Sequence, residues 1–153
     1  MNPTHLHLLV NHVSLFAVAF GVVALFWSVL KRSNEMRVAA VGLFLLAGLF
    51  AWVATESGED AAERIKSEKA RVETHEEAAE AANAAVIALA IGAVVLEIVA
   101  RVKKSDSKTT KIGILILVLA LAAAGLLARA ANLGGQIVHF ETRPDAAPFL
   151  EQE

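Results

Sequence analysis

The sequence contains neither cysteine nor tyrosine, and charged residues make up only 20% of it. Without cysteine, the chain has no disulfides, thiolate metal sites, iron–sulfur clusters or covalently attached c-type haem. The net charge of −2 gives no indication of a nucleic acid as partner. Hydrophobic residues, in contrast, reach 56%, above the roughly 45–50% of soluble domains. We therefore predict a single membrane domain over residues 1–153.

Four apolar segments are long enough to cross a bilayer as helices, which takes about 20 mainly apolar residues. The predicted spans are about 5–30, 38–55, 75–100 and 112–132. The N-terminus has neither a basic stretch nor a small-residue cleavage site, so we expect the first apolar segment to be a retained span and not a signal peptide. Residues 56–74 form a predicted connection, and residues 136–153 form a predicted polar tail.

Local sequence signals predict where the helices begin and end. Residues 55–58, with the sequence TESG, predict the end of the second helix. Thr74 is followed three residues later by Glu77, which fits a capping box, so the third helix is predicted to begin at Thr74. Gly134 and Gly135 predict the end of the fourth helix, because glycine often follows a helix C-terminus.

The distribution of charge predicts the topology. The first and third loops carry eight basic residues against two acidic ones. These basic residues are Lys31, Arg32, Arg37, Arg101, Lys103, Lys104, Lys108 and Lys111. Residues 56–80 hold nine acidic residues against four basic ones. The positive-inside rule then places both termini and the long acidic connection outside, in the periplasm. We predict an all-α, integral membrane four-helix bundle with short cytoplasmic loops in a bacterial inner membrane.

Small residues are frequent in the third and fourth predicted spans. Alanines recur through residues 78–90, and the run 120–125 consists almost entirely of alanine and glycine. Small residues at a helix interface allow two backbones to approach closely. Two interpretations of this composition remain open: tight packing between helices, or room for a flat cofactor.

All five histidines lie at the outer face in this topology. His5, His7 and His12 occupy the outer end of the first span, His75 lies at the start of the third, and His139 follows the fourth. The topology thus brings residues that are far apart in sequence to one layer. Polar groups inside a membrane helix are costly and usually functional, which favours His12 because it is the deepest of the five.

One interpretation is an electron-transfer protein that holds haem b, with histidines as axial ligands of the iron. His12 and His75 are the preferred ligand pair, and His5 and His139 are substitutes. Candidate contacts to the rest of the cofactor, including its propionates, are Arg129, Asn132 and Arg143. The different depths of the histidines in the membrane are a difficulty for this interpretation, because His12 lies about 10 Å further along its helix than His5. His12 and His75 can therefore share one iron only if the third helix begins inside the membrane layer.

A second interpretation is a non-haem centre for copper, iron or zinc, since imidazole and carboxylate ligands suit these ions. Its candidate ligands are His5, His7, His12, His75, His139 and Glu76. A third interpretation is a structural accessory subunit of a larger respiratory or other membrane complex, in which the histidines form only hydrogen bonds. Self-association of the chain is a further possibility. We find no metalloprotease spacing and no nucleophile–base pair, so the sequence leaves enzymatic activity undecided.

Simpler explanations exist for several of these residues. An interfacial histidine such as His7 is often only an amphipathic residue at the headgroup level. Glu76 is also explained as a first-turn acid that the helix dipole favours. Glu97 lies four residues before Arg101, a spacing for which we expect a local ion pair.

Four motifs together resemble a family of uncharacterised small bacterial four-helix membrane proteins, a domain-of-unknown-function family. The motifs are HLHLLVNH at 5–12, SGE at 57–59, HEE at 75–77 and ANLGGQIVH at 131–139. The resemblance covers most of the chain. Ser14 departs from it, because the family pattern has a proline after the first histidine-rich block. The resemblance implies the four-helix fold and supports the histidines as one unit, but it supplies no reaction.

Overall fold

A computed structural model describes residues 3–62, 68–103 and 106–143 of the chain. It contains four long helices: α1 (Pro3–Lys31), α2 (Asn34–Ala62), α3 (Lys69–Lys103) and α4 (Asp106–Val138). A short 3₁₀ helix follows at Phe140–Thr142. The all-helical prediction is confirmed. The predicted tail beyond residue 143 lies outside the described residues.

Each of the four helices is long and apolar enough to cross a membrane. The qualifying segments are His7–Lys31, Asn34–Glu59, Lys69–Val102 and Thr109–Val138. Large apolar side chains cover the outside of the bundle, among them Phe16, Phe20, Phe26, Trp27 and Trp52. Such a surface is suited to contact with lipid, since a water-soluble monomer rarely exposes a contiguous apolar patch of this extent.

The helices pack in sequence around a common core. α1 lies against α2, α2 against α3, and α3 against α4, while contacts between α4 and α1 close the ring. Helices α1 and α3 are therefore diagonal partners, as are α2 and α4. Alanine supplies much of this core, with Ala40, Ala47, Ala82, Ala120 and Ala123 fully buried. The small side chains allow the helix backbones to approach closely.

Helices α2 and α3 extend beyond their predicted ends. Helix α2 continues through Gly58 to Ala62, and α3 begins at Lys69, so much of the predicted connection 56–74 is helical. Thr74 lies inside α3, where its hydroxyl donates to the carbonyl of Ala70 at 2.8 Å. The capping box predicted at Thr74 is therefore wrong. Residues 63–67 of the connection lie outside the described residues.

Helix α4 also continues past its predicted stop. It runs through Gly134 and Gly135 to Val138. Arg143 folds back onto its end, donating from Nε to the carbonyl of Gln136 at 2.8 Å and from Nη2 to that of Ile137 at 3.1 Å. These bonds satisfy carbonyls that a helix C-terminus leaves without partners, so the helix needs no glycine stop.

An ion-pair network lies at the other end of the bundle, where α1 ends and α2 begins. Arg101 donates from Nε to Glu97 at 2.6 Å, which confirms the expected local pair. Arg37 of α2 also donates from Nε to Glu97, at 2.9 Å. Glu97 thus links α2 to α3 as well as bonding within its own helix.

Candidate functional site

His7 lies near the start of α1 and faces the end of α2. Its Nδ1 is 3.0 Å from the carbonyl oxygen of Ala54. A carbonyl only accepts, so Nδ1 carries the hydrogen. Its Nε2 lies 2.9 Å from the amide nitrogen of Asn11, one turn along α1. Nε2 is therefore an acceptor, and both contacts together describe a neutral imidazole whose two nitrogens are bonded.

His75 lies in the second turn of α3 and faces the end of α4. Its Nδ1 donates to the carbonyl oxygen of Ala130 at 2.9 Å. In a neutral ring this bond places the hydrogen on Nδ1 and the lone pair on Nε2. Among the described residues, none forms a hydrogen bond with that Nε2. His75 thus differs from His7 in having a second nitrogen available for a ligand.

The two imidazoles meet across the axis of the bundle. Their ring centroids are 6.5 Å apart, and the ring planes are nearly perpendicular at 86°. Helices α1 and α3 are diagonal partners, so the contact joins the two halves of the bundle. We refer to His7 and His75 as the histidine pair. It forms a polar layer near one end of a mainly apolar core.

One glycine faces each ring of the histidine pair. A Cβ added at Gly58 would lie 3.0 Å from Cε1 of His7, and one at Gly134 would lie 2.9 Å from Cε1 of His75. Any side chain at Gly134 would press on the imidazole. The sequence suggested only helix stops at these glycines. Their role is to make room for the rings.

The same arrangement occurs twice in the chain. In each helical hairpin, a histidine near the start of the first helix bonds an alanine carbonyl on the second helix and packs against the glycine four residues further on. The pairs are Ala54 with Gly58 and Ala130 with Gly134. Alanine and glycine at this spacing form a small-xxx-small pattern, which marks close helix contacts in membranes. That pattern was the available sequence signal for these residues.

The structure does not place His12 beside His75. The His12 ring is exposed on the outside of α1, and its Nδ1 lies 2.6 Å from the carbonyl of Leu8 in the same helix. Five residues separate His12 from His7, which rotates its side chain by about 140° around the helix. The ring that meets His75 is therefore that of His7, and the preferred pairing of His12 with His75 is not formed.

The remaining candidate residues lie away from the histidine pair. His5, Glu76 and Arg129 are exposed, and Asn132 accepts a hydrogen bond from Gln136 at 2.8 Å. His139 is exposed as well. The structure brings these residues neither to the histidine pair nor into one cluster. Within the described ranges, no group of three or more histidines and carboxylates is placed to hold a metal ion.

His139 has its own partner at the end of the chain's described part. Its Nδ1 lies 3.0 Å from a carboxylate oxygen of Glu141. The pKa of Glu141 is lowered from its ordinary value, first by the bond from its own backbone N–H and then by the bond from His139. His139 thus belongs to a surface contact that is separate from the histidine pair.

Comparison of the chain with family models, with curated proteins and with solved structures gives no match. The resemblance to the four-helix family stays a prediction.

Proposed function

We propose that this protein is a membrane redox protein that binds haem b through His7 and His75. The observation that carries this proposal is the pair of imidazoles on diagonal helices, each anchored through Nδ1 to a backbone carbonyl. A metal-binding histidine usually donates its other ring N–H to such a partner, which orients the ring and makes it a better ligand.

The number of available ligands favours haem over a non-haem ion. Structural zinc sites take four protein ligands and catalytic ones take three, whereas the described residues offer two histidines close together. A haem iron receives four nitrogens from the porphyrin and needs only one or two axial ligands from the protein. Two facing histidines are therefore sufficient for haem.

The separation of the rings agrees with ligation of a single iron. With metal–nitrogen bonds of about 2.0 Å, two imidazoles on opposite sides of one ion have centroids roughly 6 Å apart. The observed separation is 6.5 Å. Ligation through Nε2 of His7 requires the loss of its hydrogen bond to Asn11, since one lone pair cannot serve both partners.

The glycines allow the two imidazoles to lie at this level of the bundle. Gly58 and Gly134 lie on α2 and α4, the diagonal that the histidine pair does not occupy. A Cβ at either glycine would meet an imidazole, so the two glycines leave room for the rings themselves. When bound, haem supplies one-electron chemistry. The protein's part would be to hold the two imidazoles in an apolar, largely alanine-lined core.

The topology is part of the proposal. Most of the basic residues flank the end opposite the histidine pair, which by the positive-inside rule lies in the cytoplasm. The histidine pair then lies near the periplasmic face of a bacterial inner membrane, and both termini are periplasmic. The electron donor is expected to be another component of that membrane or of the periplasm.

One observation favours a second candidate, the structural accessory subunit. Both nitrogens of His7 form hydrogen bonds without any cofactor, so this ring already stabilises the contact between α1 and α2. In that case the exposed apolar surface packs against a larger membrane complex or another copy of the chain.

The test is a set of absorption spectra of the detergent-purified protein, oxidised and dithionite-reduced, with iron analysis of the same samples. We expect a b-type spectrum that is lost in His7→Ala and in His75→Ala. His12→Ala is the matched control, because its ring is exposed and bonds only its own helix; it should retain the cofactor. Wild-type protein that stays colourless and iron-free after expression with added haem would favour the structural candidate.

A further inference from the structure

A cavity of about 220 Å³ lies at the end of the bundle opposite the histidine pair. Its floor is apolar, formed in part by Leu25 and Leu96, while Arg32, Asn34, Arg37 and Thr109 contribute polar groups to the lining. We propose that this cavity binds a phosphate group, carried either by an anionic phospholipid or by free phosphate. This proposal does not depend on the one for haem.

Two hydrogen bonds hold the guanidinium of Arg37 in place, and they use only part of its N–H donors. Its Nε donates to Glu97 at 2.9 Å, and its Nη1 donates to the side-chain oxygen of Asn34 at 2.8 Å. The side chain is only 14% exposed. These two bonds fix the plane of the guanidinium, and Nη2 forms no hydrogen bond within the part of the chain that the structure describes, so it can donate to an anion. Phosphate recognition favours arginine because its donors form such a rigid fork.

The backbone of Arg32 adopts a conformation that is unusual for arginine. Its φ is 55°, the one non-glycine residue with a positive φ among the described residues. It lies directly after α1, where glycine is the usual choice because it has no Cβ to clash. Arginine is a poor choice for this conformation, yet its side chain lines the cavity. An unfavourable backbone conformation retained at a cavity supports a functional role for the side chain as a hypothesis.

The charged residues that line the cavity are arginines. Two arginines and no acidic residue line it, and Glu97, which bonds Arg37, is shared with the exposed Arg101. The carboxylate of Glu35 accepts from the Ser33 hydroxyl at 2.9 Å and is not part of the lining. An anion entering the cavity would therefore meet arginine and no acidic residue in the lining.

The location agrees with a lipid source. The cavity lies at the ends of the segments that are apolar enough to cross a membrane, which is the level of the phosphate groups in a bilayer. Basic pockets between membrane helices on the cytoplasmic side bind anionic lipid headgroups. The mixed lining, polar at the mouth and apolar below, suits a headgroup whose chains continue along the outside of the bundle.

The experiment measures thermal unfolding of the full chain in a neutral detergent. It compares three additions: phosphatidylglycerol, phosphatidylcholine at the same concentration, and inorganic phosphate. The test variant is Arg32→Gly, which removes the guanidinium and also relieves the backbone, so it should fold at least as well as wild type. The control is Lys31→Gln, which removes the same charge from the neighbouring residue; Lys31 lies over the ring of Trp27 and does not line the cavity.

We expect phosphatidylglycerol to raise the unfolding temperature of wild type and Lys31→Gln more than phosphatidylcholine does. In Arg32→Gly the lipid concentration needed for half of that shift should rise at least about tenfold, the usual scale for loss of a charge-assisted bond. A matching response to inorganic phosphate identifies a free anion as the source, and a response to the lipid alone identifies the headgroup. An equal response in Arg32→Gly and wild type, or no response to either anion, would overturn the proposal.

Discussion

Both ends of the bundle contain polar groups between apolar helices, but the polar groups described at the two ends differ in kind. Around the histidine pair, imidazole and amide groups without charge bond backbone carbonyls or one another. At the basic end, guanidinium and carboxylate groups bond across α2 and α3 beside an open cavity. Neutral groups can be enclosed once each is hydrogen-bonded, whereas buried charges carry a large desolvation cost. Glu97 accordingly keeps two arginine partners, whereas each imidazole is satisfied through a backbone carbonyl.

The largest expected effect on stability concerns the charged end. Glu97→Gln leaves Arg37, which is 14% exposed, without a charge partner. We expect a loss of about 2–3 kcal/mol, the scale of hydrogen bonds to charged groups. The matched variant is Arg101→Gln, because Arg101 bonds the same carboxylate with a side chain that is 70% exposed. It should cost less than about 1 kcal/mol. Equal losses in chemical denaturation of the two variants would contradict the special role of Arg37.

The next effect concerns packing against the imidazoles. Gly134→Ala adds a Cβ at 2.9 Å from Cε1 of His75, so the ring must shift and its bond to Ala130 must weaken. We expect a loss of about 1–2 kcal/mol. The adjacent Gly135→Ala is the control, since a Cβ there meets nothing within 4 Å. That variant should be neutral or up to about 1 kcal/mol more stable, because alanine is the better helix former.

The smallest effect separates the roles of the two imidazoles. Asn11→Leu removes the donor to Nε2 of His7 and should destabilise the cofactor-free protein by about 1 kcal/mol. It should not weaken haem binding, because Asn11 competes with iron for the same lone pair. Titration of the purified apoprotein with haem provides the measurement. Weaker binding in Asn11→Leu would mean that Nε2 of His7 is not the ligand atom.

The sequence was sufficient for the four helices and for the pair between Glu97 and Arg101. The apolar length of a segment and the i,i+4 spacing of two residues are properties of the local sequence, so they do not depend on how the helices pack. The choice between His7 and His12, in contrast, could not be made from the local sequence. Depth along α1 favoured His12, but depth does not specify which side of a helix faces the core. That side is set by the packing of α1 against α2, and it selects His7.

The glycines show a related difficulty. A glycine after an apolar run fits both a helix end and a helix contact. At Gly58 and Gly134 the second alternative holds, because an imidazole from the preceding helix occupies the space beside each. Only a view of both helices together distinguishes the two, although alanine four residues earlier in each case was a clue.

The repeated arrangement of histidine, alanine carbonyl and glycine has a consequence for assembly. Each ring is anchored within its own hairpin, His7 by α1 with α2 and His75 by α3 with α4. These contacts require only neighbouring helices to insert and pair, which is the early stage of membrane protein folding. The contact between the rings forms only when the two hairpins join. Each hairpin thus orients its own histidine, and the histidine pair is completed when the two hairpins associate.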